Sequence, residues 1–281
     1  MNDFRGKTAV ITGGASGIGL AMGNLFARQG MNIVLADIEQ DALDSAVAGL
    51  QSQGADCMGV LTDVSRAEEV QALASRAVER FGAIHIACNN AGVFTGGLLW
   101  EEPLADYDWL MDVNIRGVVH GIRTFVPLMI EQDCECHIVN TASMAALTAM
   151  PYSGIYHMTK HAVLAMSESL YHELAFHAPK INVSVLCPEA INTGIATSER
   201  NRPHAHADVP ESEARSLVMG ALQDSTAAGI GPEVMAQRVL EGIRERRFYL
   251  ISDEEWRQAA NVRLDDIREA RNPTFAPPVS Q

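Results

Sequence analysis

The segment formed by residues 7–29 constrains the fold more than any other part of the chain. Residues 7–12 (KTAVIT) are a short apolar run with β-branched side chains, and residues 20–29 have a helix-like pattern. Between them lies the turn GGASGIG, whose glycines follow the spacing G-x-x-x-G-x-G. A strand, a glycine turn and a helix in this order open the α/β folds that bind dinucleotides. Glycine permits the tight turn and lets backbone N–H groups approach a pyrophosphate at the helix N-terminus.

Strand and helix patterns alternate along the rest of the chain. Apolar runs predict strands near residues 7–12, 31–36, 55–61, 84–89, 136–142, 180–187 and 247–251, and helical patterns lie near 17–29, 39–52, 66–81, 104–131, 151–177 and 231–245. Such alternation predicts the α/β class: a doubly wound, seven-stranded parallel sheet of the Rossmann type, with helices on both faces, in a single domain. We expect this domain over residues 1–252, including an irregular substrate lid at about 188–230. A helical, proline-rich tail follows over residues 253–281.

An acidic residue ends the second predicted strand. Asp37 follows residues 31–36 and can accept hydrogen bonds from both hydroxyls of an adenosine ribose, while it repels a 2′-phosphate. Neither Ser16 nor Ile38 is basic, although a site for NADP would carry a basic residue at these positions. The pattern therefore favours NAD. Alternatively, Asp37 is the N-cap of the helix that begins near Glu39, and the two roles are compatible.

A tyrosine and a lysine stand four residues apart on the predicted helix 151–177. Side chains at positions i and i+4 of a helix face the same way, so Tyr156 and Lys160 are neighbours. Lysine occurs only at positions 7, 160 and 180, so a lysine here is more than background composition. A nearby ammonium lowers the pKa of a tyrosine from about 10 toward the value that a general base needs. The alternative is a tyrosine of the core beside a solvated lysine.

Together these residues resemble the short-chain dehydrogenase/reductase family in its compact single-domain form, and the likeness covers nearly the whole chain. Residues 12–19 are similar to the family's cofactor turn, and Asp63 and Val64 to its adenine-contacting pair. Residues 89–92 (NNAG) are similar to the segment that closes its fourth strand. Four residues match the positions of its catalytic tetrad, namely Asn114, Ser143, Tyr156 and Lys160.

The resemblance implies a role for each matched residue. Tyr156 would exchange a proton with the substrate oxygen, Lys160 would stabilise the phenolate and hold the nicotinamide ribose, and Ser143 would hydrogen-bond the substrate oxygen. Asn114 would kink its helix and hold a water that relays protons to Lys160; alternatively, it is a polar helix residue bonded to backbone. The implied cofactor contacts, beside Tyr156 and Lys160, are Gly13, Ser16, Gly17, Ile18, Gly19, Asp37, Ile38, Asp63, Val64, Asn90, Ala91, Gly92, Pro188, Ile191 and Thr193.

The chain departs from the family pattern after the predicted strand 180–187. The family usually has Pro-Gly there, whereas this chain has Pro188 and Glu189. Ile191 and Thr193 still fit the segment that binds the nicotinamide carboxamide. Glutamate does not adopt a positive φ as readily as glycine, so either this loop does not need that conformation or it is strained. We expect Glu189 to point into solvent, the alternative being the substrate pocket.

Apolar or amphipathic residues near the tetrad predict the wall of the substrate pocket. The candidates are Phe94, Ala145, Met150 and Ile195, together with Leu147, Tyr152 and Ile191. They argue against a small, highly charged substrate. Residues 186–203 are similar to a bacterial subgroup of the family that includes oxidases of bulky aryl secondary alcohols.

The resemblance implies an NAD-dependent enzyme that interconverts a secondary alcohol and a ketone. One alternative is an NAD-binding regulator or scaffold without turnover, because a fold does not by itself imply an activity. A regulator would have no reason to retain Ser143, Tyr156 and Lys160 together. The other alternative is an epimerase or dehydratase that uses the same Tyr/Lys chemistry, but little chain remains after the seventh strand for the substrate domain of such enzymes.

Composition and charge narrow the possible partners. A net charge of −14 disfavours nucleic acid and anionic membranes, because both are bound through cationic patches. Residues 1–5 lack the apolar core of a signal peptide and no apolar run reaches membrane-spanning length, so we expect a cytoplasmic protein. Five scattered cysteines, an odd number, are typical of reduced thiols. Neither residues 134–137 (CECH) nor the pair His157 and His161 has the spacing of a zinc motif, so we expect no metal.

The two longest predicted helices, near 104–131 and 151–177, carry wide apolar faces. Family members commonly pair these helices across a two-fold axis into a four-helix bundle, so the resemblance implies a homo-oligomer, a tetramer or a dimer. The faces offer more apolar residues than one sheet contact can cover. They are Met111, Ile115, Val118, Val119 and Ile122 on the first helix and Val163, Leu164, Met166 and Leu170 on the second.

Overall fold

Seven parallel strands form the central sheet of the molecule. The computed structural model describes residues 1–203, 212–251 and 254–276. The strands are β1 Thr8–Thr12, β2 Asn32–Asp37, β3 Cys57–Leu61, β4 Ile86–Asn89, β5 Cys136–Thr141, β6 Ile181–Cys187 and β7 Tyr249–Ile251. They lie in the order β3-β2-β1-β4-β5-β6-β7, and every neighbouring pair is parallel. The predicted α/β class and seven-stranded parallel sheet are confirmed.

Helices cover both faces of this sheet. Within the described ranges they are α1 Gly17–Arg28, α2 Gln40–Ser52, α3 Ala67–Phe81, α4 Leu104–Leu110, α5 Gly117–Gln132, α6 Gly154–His177, α7 Glu213–Ala227, α8 Pro232–Glu245 and α9 Glu254–Arg268. On one face, Phe26 of α1 and Ile243 of α8 belong to a single buried cluster. On the other face, Leu73 of α3, Phe125 of α5 and Leu170 of α6 do the same. Each such side chain contributes about 1.5–3 kcal/mol on full burial, so the two clusters hold the sheet between its helices.

The strand order reverses between β1 and β4, which are neighbours in the sheet but not in the sequence. Both strands end at the same edge as β5, because Ile11 pairs with Cys88 and Asn89 pairs with Asn140. In open parallel sheets, ligands bind outside the carboxyl ends of the strands at such a switch point. The turns after β1, β4 and β5 therefore meet at one place.

The helix predicted near 104–131 is interrupted. Between α4 and α5 the residues Met111–Arg116 form a π-helical segment, and Asn114 lies within it. A π-helical turn shifts the register of a helix by one residue, and such segments frequently occur at functional sites. The amphipathic pattern continues across the segment, so the sequence could not reveal it.

The irregular segment expected at about 188–230 is in part helical, and that expectation is wrong for residues 213–227. The 3-10 helix Gly194–Asn201 and the helix α7 both lie in this region. Ser212 begins α7, because its side chain accepts a hydrogen bond from the Arg215 N–H at 3.1 Å. Gly220 suggested a break, but one glycine inside a helix costs only about 1 kcal/mol. Residues 204–211, with Pro210, and the proline-rich end at 277–281 lie outside the described residues.

In the part of the chain that the structure describes, no helix is long and apolar enough to cross a membrane.

Candidate active site

The turn after β1 is shaped for close approach of backbone to a ligand. Gly13 and Gly17 have φ angles of +60° and +51°, in the left-handed region that favours glycine. A Cβ added at Gly19 would lie 2.1 Å from the carbonyl oxygen of Gly13, so a larger residue would disrupt the turn. The turn leads into the N-terminus of α1, whose free N–H groups and positive helix dipole suit an anion such as a pyrophosphate.

Asp37 connects the glycine turn to the end of β2. Its Oδ2 accepts a hydrogen bond from the Ala15 N–H at 2.9 Å, and its Oδ1 accepts one from the Glu39 N–H at 3.2 Å. The second bond supports the start of α2, where Glu39 is the N-cap residue. The carboxylate also lines the cleft described below. The alternative that Asp37 is itself the N-cap of this helix is therefore wrong, because Glu39 occupies that position.

Hydrogen bonds join the ends of β1, β4 and β5. Thr12 Oγ1 accepts from the Asn90 N–H at 2.9 Å and from the Ala91 N–H at 3.2 Å. The Asn90 side chain donates to Thr12 O at 3.1 Å and accepts from Thr141 Oγ1 at 3.1 Å. These bonds hold the segment through Gly92 against the glycine turn, where a Cβ added at Gly13 would lie 2.9 Å from Ala91 Cα.

Ser143 and Tyr156 face each other beside the end of β5. Ser143 caps a short 3-10 helix, Met144–Ala146, by accepting the Ala145 N–H at 3.1 Å. Burial raises the pKa of Tyr156 to about 12, although its hydrogen bond with Ser143 acts in the opposite direction. The Phe94 ring lies 4.9 Å from the Tyr156 ring, centroid to centroid, and contributes to this apolar surrounding. The phenol therefore carries its proton at neutral pH.

Lys160 lies one helical turn from Tyr156 and is buried. Its Nζ donates to Thr141 O at 3.1 Å and lies 5.5 Å from the centroid of the Tyr156 ring. Burial lowers the pKa of Lys160 to about 8. The expectation that the nearby ammonium lowers the pKa of Tyr156 is wrong for this structure, because burial has the largest effect on both groups and raises the pKa of the phenol.

Asn114 supports the loop that follows β4. Its Oδ1 accepts the Val93 N–H at 2.9 Å, and its Nδ2 donates to Val93 O at 3.0 Å and to Thr159 Oγ1 at 3.1 Å. The two bonds with Val93 are to its backbone, so the contacts of Asn114 agree with the alternative reading as a polar helix residue that bonds to backbone. A Cβ added at Gly92 would lie 3.4 Å from both Asn114 Oδ1 and Lys160 Nζ, so these two polar groups converge on Gly92. The water relay through Asn114 stays a prediction.

One cleft of about 410 Å³ brings the predicted residues together. All of the predicted catalytic and cofactor residues line it except Gly19 and Asn114, which are buried. The predicted pocket residues Phe94, Ala145, Met150, Ile191 and Ile195 line it as well. Leu147 and Tyr152, also expected in the pocket wall, do not line it. Residues that the sequence did not single out contribute further apolar and hydroxyl groups, namely Trp109, Thr148, Leu222, Ser225, Thr226 and Trp256. The helical pattern of α7 could have pointed to Leu222, but no local signal indicates Trp256.

Glu189 does not point into solvent as expected. Its side chain is only 8% exposed and pairs with Arg238 of α8 at 3.0 Å. Among the described non-glycine residues, positive φ angles occur at Asp133, Tyr152, Arg246 and Ala270, so Glu189 has no need of the conformation that favours glycine. The ion pair explains how its carboxylate can be buried, and Glu189 also lines the cleft, as the alternative expected.

A buried ion-pair network, which the sequence did not reveal, ties α7 to α4. Asp106 is 0% exposed and pairs with both Arg202 and Arg215. Arg215 also pairs with Glu102 at 2.5 Å. Burial and a hydrogen bond with Asp106 raise the pKa of Glu102 to about 7. Because the Arg202 guanidinium lies 4.5 Å from the centroid of Trp109, the network extends to the wall of the cleft.

Four of the cysteines lie on strands of the sheet, and the fifth, Cys134, lies just before β5. All five are free thiols, and the Sγ atoms of Cys134 and Cys136 are 3.7 Å apart. In the described residues, no group of three or more His, Cys, Asp or Glu side chains could hold a metal ion.

Comparison with known proteins identifies the family. A family model described as short chain dehydrogenase matches residues 7–204, and the chain belongs to this family. The resemblance in the sequence is thereby confirmed. A short chain dehydrogenase/reductase from Burkholderia phymatum, solved in complex with NAD, is similar over 100% of both chains, with 43% identity and a TM-score of 0.97.

Two further relatives are named as dehydrogenases. The 1-deoxy-11-beta-hydroxypentalenate dehydrogenase of Streptomyces exfoliatus is 35% identical over 263 residues, which cover 93% of this chain and 88% of the relative. The C alpha-dehydrogenase of a Sphingobium species is 30% identical over 279 residues, which cover 99% of this chain and 90% of the relative. The likeness therefore extends over nearly the whole chain and is not confined to residues 7–204.

Proposed function

We propose that this chain is an NAD-dependent oxidoreductase that interconverts a secondary alcohol and a ketone. One observation carries the proposal: Ser143, Tyr156 and Lys160 line the same cleft as the glycine turn and Asp37. An acid/base pair and a dinucleotide site in one cleft are the two parts that such a reaction needs. The NAD complex of the Burkholderia relative supports the choice of cofactor.

Tyr156, Ser143 and Lys160 each have a different role in the transfer of a proton to or from the substrate oxygen. NAD, when bound, supplies the hydride acceptor for oxidation, and NADH the hydride donor for reduction. In reduction, Tyr156 donates its proton to the forming alcohol. In oxidation, the pair of Tyr156 and Lys160 accepts the hydroxyl proton of the alcohol after it has lost one proton of its own. Ser143, which already bonds Tyr156, orients the substrate oxygen toward the phenol. Lys160, held by Thr141 O, places a positive charge beside the phenol when protonated.

The wall of the cleft favours a bulky, apolar substrate, and an aryl secondary alcohol is the first candidate. Phe94, Met150 and Ile195 line it together with Trp109 and Trp256. Trp256 lies on α9, so we propose that the tail at 253–281 contributes to the substrate site although it follows the domain at 1–252. The test is NADH formation with aryl, alicyclic and steroidal secondary alcohols, and with lactate as a small charged control. Turnover of lactate above all bulky alcohols would contradict the substrate class.

We expect a preference for NAD over NADP, because the Asp37 carboxylate at the end of β2 repels a 2′-phosphate. Replacement of Asp37 by alanine should narrow the difference in kcat/KM between the two cofactors by about tenfold or more. Steady-state kinetics with both cofactors provide the check. Equal values for the wild-type protein would contradict the assignment of NAD.

The pH dependence should differ between the two directions. Burial lowers the pKa of Lys160 to about 8 and raises that of Tyr156 to about 12, so the pair loses its first proton at about pH 8. Oxidation needs a pair that has lost one proton, whereas reduction needs the proton on Tyr156. We therefore expect kcat/KM for oxidation to rise up to about pH 8, and that for reduction to change little over the same range, because the Tyr156 phenol keeps its proton until about pH 12. A fall of the oxidation rate over the same range would contradict these roles.

We further propose a cytoplasmic homo-oligomer, a tetramer or a dimer, built through α5 and α6. Part of the expected apolar face is buried within the chain, since Val118 is 3% and Val163 0% exposed. Other apolar side chains on or next to these helices remain at the surface, including Ile130 at 49% and Met158 at 41%. Light scattering at micromolar concentration decides the question. A mass near the 30.4 kDa of one chain would show that these faces do not form an interface.

A further inference from the structure

The cofactor end of the cleft contains an arginine that lies far from it in the sequence. Glu39 follows Asp37 by two residues, and Arg200 belongs to the 3-10 helix Gly194–Asn201, yet both line the cleft. Glu39 Oε1 accepts hydrogen bonds from Arg200 Nε at 3.0 Å and from Asn201 Nδ2 at 2.9 Å. Arg200 Nη2 lies 2.8 Å from the same oxygen. A basic residue is thus present near Asp37, although none stands at the sequence positions where it would be expected.

Short bonds place this ion pair next to the carboxylate that is expected to bind the ribose. The Glu39 N–H donates to Asp37 Oδ1 at 3.2 Å, so the two acidic residues share one turn. Hydrogen bonds from Arg200 and Asn201 lower the pKa of Glu39, which keeps its carboxylate charged at neutral pH. The Arg200 guanidinium therefore lies in the same part of the cleft as Asp37, joined to it through Glu39, and the Glu39 carboxylate neutralises it.

All three nitrogens of the Arg200 guanidinium have partners within the protein. Nε and Nη2 face Glu39, while Nη1 donates to Gly194 O at 3.0 Å and to Thr197 O at 2.8 Å. An arginine fork with free donors is the side chain best suited to bind a phosphate through two parallel hydrogen bonds. In this site the fork is occupied by Glu39 instead.

We propose that Glu39 is a second determinant of cofactor selectivity, because it holds the Arg200 guanidinium in an ion pair and so withholds it from the 2′-phosphate of NADP. The inference rests on the proposed NAD-dependent function and deepens it. Asp37 acts by repelling the phosphate, and Glu39 acts by occupying the arginine that would attract it. Without Glu39, the same arginine becomes a phosphate ligand.

The test measures dissociation constants of NADH and NADPH by fluorescence titration. For Glu39→Ala we expect the ratio of the NADPH constant to the NADH constant to fall by about tenfold, because a charged hydrogen bond to phosphate is gained. In the double variant Glu39→Ala/Arg200→Ala most of this fall should disappear. Asp41→Ala is the matched control, because it removes an exposed acidic residue from the first turn of the same helix. It should leave the ratio within about twofold of the wild-type value.

The possible outcomes distinguish a failure of the inference about Glu39 from a failure of the proposed NAD-dependent function. An equal fall in Glu39→Ala and in the double variant would overturn the inference, since the loss of one negative charge would then suffice without Arg200. An unchanged ratio in Glu39→Ala, with a wild-type protein that prefers NADH, would overturn the inference and leave the proposed function intact. A wild-type protein that binds neither nucleotide would contradict both. If Glu39→Ala does not fold, Glu39→Gln, of the same size but uncharged, carries the same expectation.

Discussion

Replacement of Tyr156 by phenylalanine is expected to lower kcat by about a hundredfold or more, because it removes the oxygen that exchanges a proton with the substrate. Binding of NADH should stay nearly unchanged, since the ring that packs against Phe94 is retained. The two effects are measured by steady-state kinetics and by fluorescence titration of NADH. A large loss of kcat with intact cofactor binding would separate the proton chemistry from assembly of the cleft.

Tyr152→Phe is the matched control for this variant. Tyr152 is a neighbouring tyrosine that does not line the cleft, so loss of its hydroxyl should leave kcat almost unchanged. Retention of more than about a tenth of kcat by Tyr156→Phe, a loss of less than about 1.4 kcal/mol in barrier, would contradict the role of Tyr156.

Replacement of Asp106 by alanine is expected to reduce the free energy of unfolding by about 3 kcal/mol. Asp106 is fully buried and neutralises Arg202 and Arg215, whose side chains are 5% and 12% exposed. Without the Asp106 carboxylate, the guanidinium groups of Arg202 and Arg215 remain buried but have fewer hydrogen-bond acceptors and less compensating negative charge. Urea unfolding of both proteins provides the measurement. Because Arg215 lies on α7, KM for the alcohol should rise as well.

An exposed ion pair provides the control for Asp106. Asp56 and Arg80 are each 53% exposed and lie 2.6 Å apart, so Asp56→Ala should cost no more than about 1 kcal/mol. Equal destabilisation by Asp56→Ala and Asp106→Ala would contradict a structural role for the buried network.

The sequence was sufficient for features that depend on local spacing. The glycine turn at 13–19 and the pair of Tyr156 and Lys160 can be recognised because their residues are close together in the sequence. In the structure, residues of both motifs line one cleft. Apolar runs located all seven strands to within a few residues, because a strand buried on both faces needs a continuous apolar run.

Contacts between residues that are far apart in the sequence could not be predicted from it. Arg215 and Asp106 are separated by 109 positions, and Arg200 and Glu39 by 161, so no local pattern connects them. The partner of Glu189 on α8 was hidden for the same reason. The direction of the pKa shift at Tyr156 depends on how completely the surrounding residues exclude water, which residue spacing does not report.

Transfer of hydride from a labelled alcohol to NAD tests the central claim most directly. The protein is incubated with NAD and an aryl secondary alcohol that carries deuterium on the carbinol carbon, and the nucleotide product is analysed by mass spectrometry. A short chain dehydrogenase that works through Tyr156 should give the ketone and an equal amount of reduced nucleotide with one deuterium. Absence of reduced nucleotide with every aryl, alicyclic and steroidal alcohol, or reduced nucleotide without deuterium, would contradict the account.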